Sequence, residues 1–303
     1  MKIRKAIIPV AGFGTRFLPA TKAQPKGMLT LVDKPIIQFV VEEAVAAGIE
    51  QIIFVTDHNK RAIEDHFDRN FELEWRLKDK NKTKELAEIT RISDVASFAY
   101  VRQPNPNGDG HAILMTKKVA GDEPCAVLFS DEVIDAAVPS ISQLIKVYEK
   151  YQDPVICVRR VPKSDISRYG VIAGRPAGAG TYEVTELVEK PKPEEAPSDL
   201  AIAGRYIITP EVFEALERAK PSPDGEIRLI DAFRALRGKR SLYARELQGT
   251  YYDCGNKLQF MAAAVEYGLR HSEVNKDGAF AAYLRGKAKD LGPRPAAKAR
   301  RTK

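Results

Sequence analysis

Short apolar runs rich in β-branched residues recur along the first 160 residues, and turn-forming residues bound each of them. Runs of this length and composition predict β-strands. The predicted strands are Lys5–Val10, Ile49–Thr56, Phe98–Gln103, Cys125–Asp131 and Val155–Val161. Because their apolar residues are continuous rather than alternating, we expect both faces of the sheet to be covered by helices.

The segments between the early strands have apolar residues at helical spacing. One apolar stripe follows positions i, i+3, i+4, i+8 and i+11, through Ile36, Phe39, Val40, Ala44 and Ala47. Gly48 marks the predicted end of that helix. The composition of residues 72–91 is typical of a charged surface helix, with a candidate break at Asn81. This alternation predicts an α/β fold with a Rossmann-like, doubly wound, mainly parallel sheet. In such sheets, ligands bind beyond the carboxyl ends of the strands.

The pattern changes after about Ser167, where three strand-like segments are separated by turns. They predict a smaller, β-rich, more antiparallel insertion at about 162–250. Helical segments follow at 210–218 and 226–237, then two short strands and a long helix that begins near Lys257. No polar linker interrupts the body. We therefore expect one domain over 1–271, a helical segment over 272–291 and a tail over 292–303.

The formal charge of +7 comes from the end of the chain. Residues 285–303 hold eight basic residues and one acidic residue, so the remaining 284 residues are formally neutral. The tail has no aromatic residue that could stack on bases, and we expect it to be flexible and solvated rather than a nucleic-acid or membrane site. Nucleic acid is not an expected partner.

Cysteine usage and hydropathy indicate the compartment. The three cysteines lie far apart without CxxC spacing, so neither a disulfide framework nor a zinc site is predicted. No apolar run reaches the roughly 20 residues that span a bilayer. We expect a cytoplasmic protein without a membrane partner.

A glycine-rich turn follows the first predicted strand, in PVAGFGTRFLPATKAQPKGM (9–28). It is not a dinucleotide fingerprint, because Phe17 stands where GxGxxG needs glycine, and it has no P-loop continuation. Glycines let the backbone approach phosphate closely, and Arg16 and Lys26 supply positive charge. The alternative for this stretch alone is a tight turn followed by a solvated basic loop.

The whole pattern GxGTRxxPxTxxxPKxM resembles the signature of the sugar-1-phosphate nucleotidyltransferases. Four further segments resemble the uridylyltransferase members of that family: LVDKPIIQFVVEEAVAAGI, GDEP, EKPKPEEAPSDLAIAGRYI and YDCGNKLQFMAAAVEYGLRH. Together they extend the resemblance from about Lys5 to His271.

The resemblance implies a role for each matching residue. Charge at the reacting phosphates would come from Arg16, Lys26 and Lys190, and Lys257 is a further candidate phosphate contact. The nucleotide would be bound by Ala11, Gly12, Gly14, Gln103, Gly108 and Gly110. The sugar would be bound by Tyr169, Gly170, Glu189, Lys190 and Gly204, with Glu189 at the glucose hydroxyls and Lys190 at the sugar phosphate. Asp131 and Asp253 would be the metal carboxylates.

The resemblance further implies Mg²⁺ as cofactor, UTP and glucose 1-phosphate as substrates, and a homodimer or homotetramer. This chemistry suits the residues, because nucleotidyl transfer needs positioning and charge neutralisation rather than a dedicated base. Two alternatives concern single positions. Asp131 could cap a helix, and Glu189 with Lys190 could be a surface ion pair.

The sequence also departs from the family pattern. Gly27 stands where the uridylyltransferases usually have Glu, and Thr30 and Ser130 each replace a usual Pro. These departures leave open another nucleotide, such as dTTP, or another hexose 1-phosphate. A catalytically silent nucleotide-sugar-binding regulator is the alternative from a different functional class.

Overall fold

The computed structural model describes residues 1–290, and the predicted flexible tail 292–303 lies outside them. The strands are β1 (Lys5–Pro9), β2 (Thr30–Leu31), β3 (Lys34–Pro35), β4 (Gln51–Thr56), β5 (Ser97–Arg102), β6 (Cys125–Leu128), β7 (Glu132–Asp135), β8 (Val155–Arg160), β9 (Val171–Gly178), β10 (Thr181–Val188), β11 (Leu200–Ile208), β12 (Tyr243–Glu246) and β13 (Thr250–Asp253). The helices are α1 (Ile36–Ala46), α2 (Arg61–Phe67), α3 (Phe71–Asp79), α4 (Thr83–Asp94), α5 (Asp109–Met115), α6 (Lys117–Ala120), α7 (Ser140–Tyr151), α8 (Pro210–Arg218), α9 (Leu229–Leu236), α10 (Lys257–Arg270) and α11 (Ala279–Asp290).

The central sheet has the strand order β5-β4-β1-β6-β11-β8-β12-β10-β9. Strands β5, β4, β1 and β6 are parallel, and β12 is parallel to β8. Strand β11 is antiparallel to both β6 and β8, and β9 and β10 form an antiparallel pair at the far edge. This mixed sheet confirms the predicted fold class and the antiparallel character after Ser167.

Both faces of the sheet are covered, as the continuous apolar strands predict. Along β1, Ile7 belongs to a buried cluster with residues of α5, α8 and α9, whereas Ile8 belongs to a cluster with residues of α1 and α7. Successive side chains of a strand point to opposite faces, so Ala6, Ile7 and Ile8 are all fully buried. No helix among residues 1–290 has the length and apolar character needed to cross a bilayer.

Two helix boundaries show how local and tertiary forces compete. The predicted break near Asn81 is confirmed, because this residue has φ +52° between α3 and α4. The predicted start of α9 at Glu226 is wrong, and α9 begins at Leu229. The backbone of Ile227 is instead hydrogen-bonded to Asn107 and to the first turn of α5.

Arg205 on β11 is fully buried and forms an ion pair with Glu43 of α1. Its Nη2 and Nε lie 2.8 and 3.1 Å from Glu43 Oε2, and Ser140 at the start of α7 donates to the same carboxylate. Removing two charges from water costs free energy, so the intact pair adds little net stability. Loss of one partner, however, leaves an uncompensated buried charge and is strongly destabilising. The pair ties the sheet to two helices on one face.

Glu43→Gln keeps the side-chain volume but leaves the Arg205 charge buried without its counter-charge. We expect the free energy of unfolding to fall by about 3 kcal/mol. Urea denaturation followed by circular dichroism measures this change. Glu72→Gln is the matched control, since Glu72 pairs with Arg76 on an exposed helix face and should cost less than about 0.5 kcal/mol. Equal losses in the two variants would contradict the expectation.

Candidate active site

A cleft of about 570 Å³ opens where β1 and β6 end. This is the edge where parallel α/β sheets bind ligands. The predicted site residues that line it are Ala11, Gly12, Gly14, Lys26, Gln103, Gly108, Asp131, Glu189 and Lys190. The predicted site residues outside this lining are Arg16, Gly110, Tyr169, Gly170, Gly204, Asp253 and Lys257. Most of the second group lies directly behind the lining, as their contacts show.

The glycine-rich turn folds back on itself through short 3-10 turns. Gly14 has φ +64°, a left-handed conformation that favours glycine. Its carbonyl accepts a hydrogen bond from Thr21 Oγ1 at 2.8 Å, and a Cβ at Gly14 would lie 3.2 Å from Lys26 Cβ. The turn therefore brings Lys26 against Gly14. Nothing lies within 4 Å of a Cβ built on Gly12, so its backbone faces open space.

Asp131 and Asp253 converge on one point although 122 residues separate them. A Cβ built on Gly255 would lie 2.5 Å from Asp131 Oδ2 and 2.9 Å from Asp253 Oδ1. Burial raises the pKa of Asp253, and the neighbouring Asp131 raises it further. Strand β7 follows Asp131 directly, so the helix-cap alternative is wrong.

This pair of carboxylates fits a magnesium ion. No group of three or more His, Cys, Asp or Glu side chains among residues 1–290 could hold a metal. Magnesium, however, often takes only one or two carboxylates and completes its octahedron with substrate oxygens and water. The space at Gly255, which a Cβ would fill, is where two carboxylate oxygens already point.

Arg205 also positions the turn that carries Asp131. Its Nη1 donates to the carbonyl of Phe129 at 3.2 Å, and its Nη2 donates to the carbonyl of Glu132 at 2.7 Å. These two carbonyls flank Asp131 on the chain. The Gly204 N–H donates to Glu132 Oε2 at 2.5 Å, while burial raises the pKa of Glu132 to about 7. Gly204 therefore supports the carboxylate turn from behind.

Three cations surround the two aspartates. Lys26 pairs with Asp131, and Arg168 Nη2 lies 3.5 Å from Asp253 Oδ2. Arg16 Nη1 would lie 3.4 Å from a Cβ on Gly255. This end of the cleft thus alternates carboxylates and cations, an arrangement suited to a metal between phosphates. Lys257 is the exposed first residue of α10 and does not line the cleft.

The loop 104–112, which carries the predicted nucleotide contacts Gly108 and Gly110, packs against the segment before α9. A Cβ on Gly108 would lie 2.5 Å from the Ile227 carbonyl oxygen, and Gly110 N donates to that oxygen at 2.9 Å. The two glycines therefore permit a close backbone approach. Buried Gln103 donates through Nε2 to the Gly108 carbonyl at 3.1 Å, and this nitrogen also lies 3.0 Å from His111 Nδ1. His111 therefore packs within this loop.

Four of the five predicted sugar residues meet where β9 begins and β10 ends, whereas Gly204 lies on β11 against Glu132. A Cβ on Gly170 would lie 3.1 Å from Glu189 Oε2, and Lys190 N donates to the Tyr169 carbonyl at 3.2 Å. Lys190 Nζ lies 3.4 Å from Glu189 Oε1. The alternative of an ion pair is thus present in the structure, but both side chains also line the cleft.

Comparisons with known proteins agree with this geometry. The nucleotidyl transferase family matches residues 5–268. A UTP–glucose-1-phosphate uridylyltransferase of Staphylococcus epidermidis is 50% identical over 276 residues, covering 91% of this chain and 96% of the relative. The chain belongs to the nucleotidyl transferase family.

Solved structures of UDP-glucose pyrophosphorylases share the fold. One, complexed with UDP-glucose, has a TM-score of 0.82 and 40% identity, covering 89% of this chain and all of that one. A UTP-bound enzyme from Acinetobacter baumannii has a TM-score of 0.85 and 40% identity, covering 97% of this chain and all of that one. The resemblance found in the sequence motifs is therefore confirmed.

Three charged residues line the cleft of this nucleotidyl transferase without having been predicted: Asp109, Glu226 and Arg228. The signal available in the sequence was their place in the two segments that the structure presses together, NGDGHA and GEIRLIDA. Asp109 Oδ1 accepts from Gly110 N at 2.6 Å and from Leu229 N at 3.0 Å. Asp109 thus joins the start of α5 to the start of α9.

The departures from the family pattern lie at different depths. Gly27 is buried and lines the cleft, and a Cβ there would come 3.3 Å from Ile37 Cβ on α1. Ser130 is also buried and lines the cleft beside Asp131. Thr30 is exposed on β2, outside the lining. Gly27 and Ser130 are therefore the departures placed to affect a ligand.

Asp109 makes stability depend on pH. Burial raises its pKa from 3.8 to about 6, with Glu189 and Glu226 contributing in the same direction. The folded state binds this proton more tightly, so the stabilisation is complete below about pH 4 and is lost as the pH rises through about 6.

Asp109→Asn should remove this dependence. As the pH rises from 4 to 7, the free energy of unfolding of the variant should therefore increase relative to that of the native chain by about 1–3 kcal/mol. Urea midpoints measured at half-unit pH intervals report the difference. Asp122→Asn, at an exposed position, is the control and should follow the native curve. Parallel curves for Asp109→Asn and the native chain would show that the Asp109 pKa is not raised.

Proposed function

We propose that this chain transfers UMP from UTP to α-D-glucose 1-phosphate, with Mg²⁺ as cofactor, and releases UDP-glucose and pyrophosphate. The observation that carries the proposal is the convergence of Asp131 and Asp253 at Gly255, within a ring of cations. The names of the relatives specify the substrates.

The chain's own residues would act by positioning and by neutralising charge. The backbone of Gly12 and Gly14 faces the cleft and would receive the triphosphate, while Arg16 and Lys26 offset its charge. Glu189 would accept hydrogen bonds from sugar hydroxyls. Lys190 would hold the sugar phosphate so that its oxygen attacks the α-phosphorus opposite the leaving pyrophosphate.

Asp131 and Asp253 would hold the magnesium ion, which when bound supplies charge neutralisation at the phosphates. Arg205 and Gly204 would keep Asp131 in place through the turn that they support. No side chain has to remove a proton, because a phosphate oxygen is already a nucleophile at neutral pH. A silent binding protein would have little use for two converging carboxylates.

Family membership supports nucleotidyl transfer as the class of reaction. The dimeric or tetrameric state and the cytoplasmic location stay predictions, and Cys125, Cys157 and Cys254, which are buried and unpaired, agree with a reducing compartment.

A substrate matrix tests the reaction. Pyrophosphate release with UTP, dTTP, CTP, ATP and GTP against glucose, galactose and mannose 1-phosphates should be fastest for UTP with glucose 1-phosphate, and should stop when Mg²⁺ is chelated. Faster release with dTTP would establish the alternative nucleotide. Binding of UDP-glucose by calorimetry without any turnover would instead favour the regulator and overturn the proposal.

Lys190→Ala should reduce kcat/KM for glucose 1-phosphate about 100-fold, because one electrostatic partner of the reacting phosphates is removed. Lys192→Ala removes the same charge two residues away, on a side chain that is 77% exposed, and should leave the kinetics unchanged. Initial rates at saturating UTP measure both. Similar losses in the two variants would mean that only the general charge of this turn matters.

A further inference from the structure

Arg168 connects the sugar side of the cleft to the metal carboxylates. It ends a 3-10 segment, Lys163–Arg168, directly before Tyr169. Its Nη2 lies 3.5 Å from Asp253 Oδ2, and its only other carboxylate contact among residues 1–290 is Asp165, at 3.7 Å. The side chain is 39% exposed, and its guanidinium carbon lies 5.5 Å from the centre of the Tyr169 ring.

A guanidinium and a divalent cation compete for the same carboxylate. A magnesium ion would lie on the side of Asp253 Oδ1, which points at Gly255, whereas Arg168 lies on Oδ2 of the same carboxylate. Like charges this close repel each other. A bound cation would therefore weaken the contact of Arg168 with Asp253.

The sugar phosphate of the proposed reaction is the anion that a released Arg168 guanidinium would bind. Arg168 adjoins Tyr169, whose carbonyl accepts from Lys190 N, and Gly170, which packs against Glu189. It therefore stands beside the residues that would hold the sugar phosphate. A planar guanidinium matches phosphate oxygens better than an ammonium does, because it can donate two parallel hydrogen bonds.

We propose that Arg168 occupies Asp253 until the divalent cation binds and then binds the phosphate of the sugar 1-phosphate. The proposal rests on the proposed function for the identity of that phosphate. It gives Arg168 two opposite effects, since it opposes metal binding to the free protein and favours binding of the second substrate. A residue with a purely structural role would weaken both.

Arg168→Gln tests the two effects separately. Calorimetric titration of the substrate-free protein with Mg²⁺, and with Mn²⁺ as a second probe, should show binding about threefold tighter than in the native chain. The KM for glucose 1-phosphate should rise about tenfold or more, with the KM for UTP nearly unchanged. Arg168→Lys keeps the charge but lacks the planar guanidinium. It should therefore retain native metal affinity, and its KM for glucose 1-phosphate should lie between those of the native chain and of Arg168→Gln.

Lys163→Gln is the matched control, because it removes one charge from the exposed start of the same 3-10 segment and should change neither quantity. Unchanged or weaker metal binding in Arg168→Gln would overturn the proposal, and so would an unchanged KM for glucose 1-phosphate. The metal titration contains no substrate, so its failure is distinct from failure of the proposed function, which native-chain turnover alone decides.

Discussion

The buried ion pair between Arg205 and Glu43 is the constraint on which both the fold and the site depend. Arg205 lies at the middle of the sheet, where β11 reverses the direction set by β6. Its guanidinium pairs with α1 and holds the carbonyls on both sides of Asp131. A planar group with five fixed donors can satisfy all of these acceptors at once. The turn that carries Asp131 is therefore held by a buried charge that must be fully partnered.

The cleft carries charges of both signs along its length. Cations stand around Asp131 and Asp253 near Gly255, and the Arg228 guanidinium lies 3.2 Å from Glu226 Oε2 on another part of the lining. A bound metal or polyanion would therefore meet counter-charges that are already in place.

Close backbone contacts explain why several glycines of the resemblance do not face the cleft. Gly110 and Gly170 allow neighbouring segments to approach the lining from behind, and Gly204 leaves room for the Glu132 carboxylate. They shape the site through packing rather than through ligand contact. Gly27 has the opposite position, on the lining itself, and a Cβ there would lie 3.3 Å from Ile37 Cβ on α1.

The sequence by itself determined the alternating strands and helices, the covered faces of the sheet and the glycine-rich turn, because these depend on local periodicity and backbone freedom. The resemblance to the family also implied Asp131 and Asp253 as metal carboxylates. Only the tertiary structure decided that these carboxylates meet at Gly255, that Arg168 reaches Asp253 and that Asp109 and Arg228 line the cleft. Such contacts join segments that are far apart in the chain, and no local pattern encodes which buried charge will face which partner.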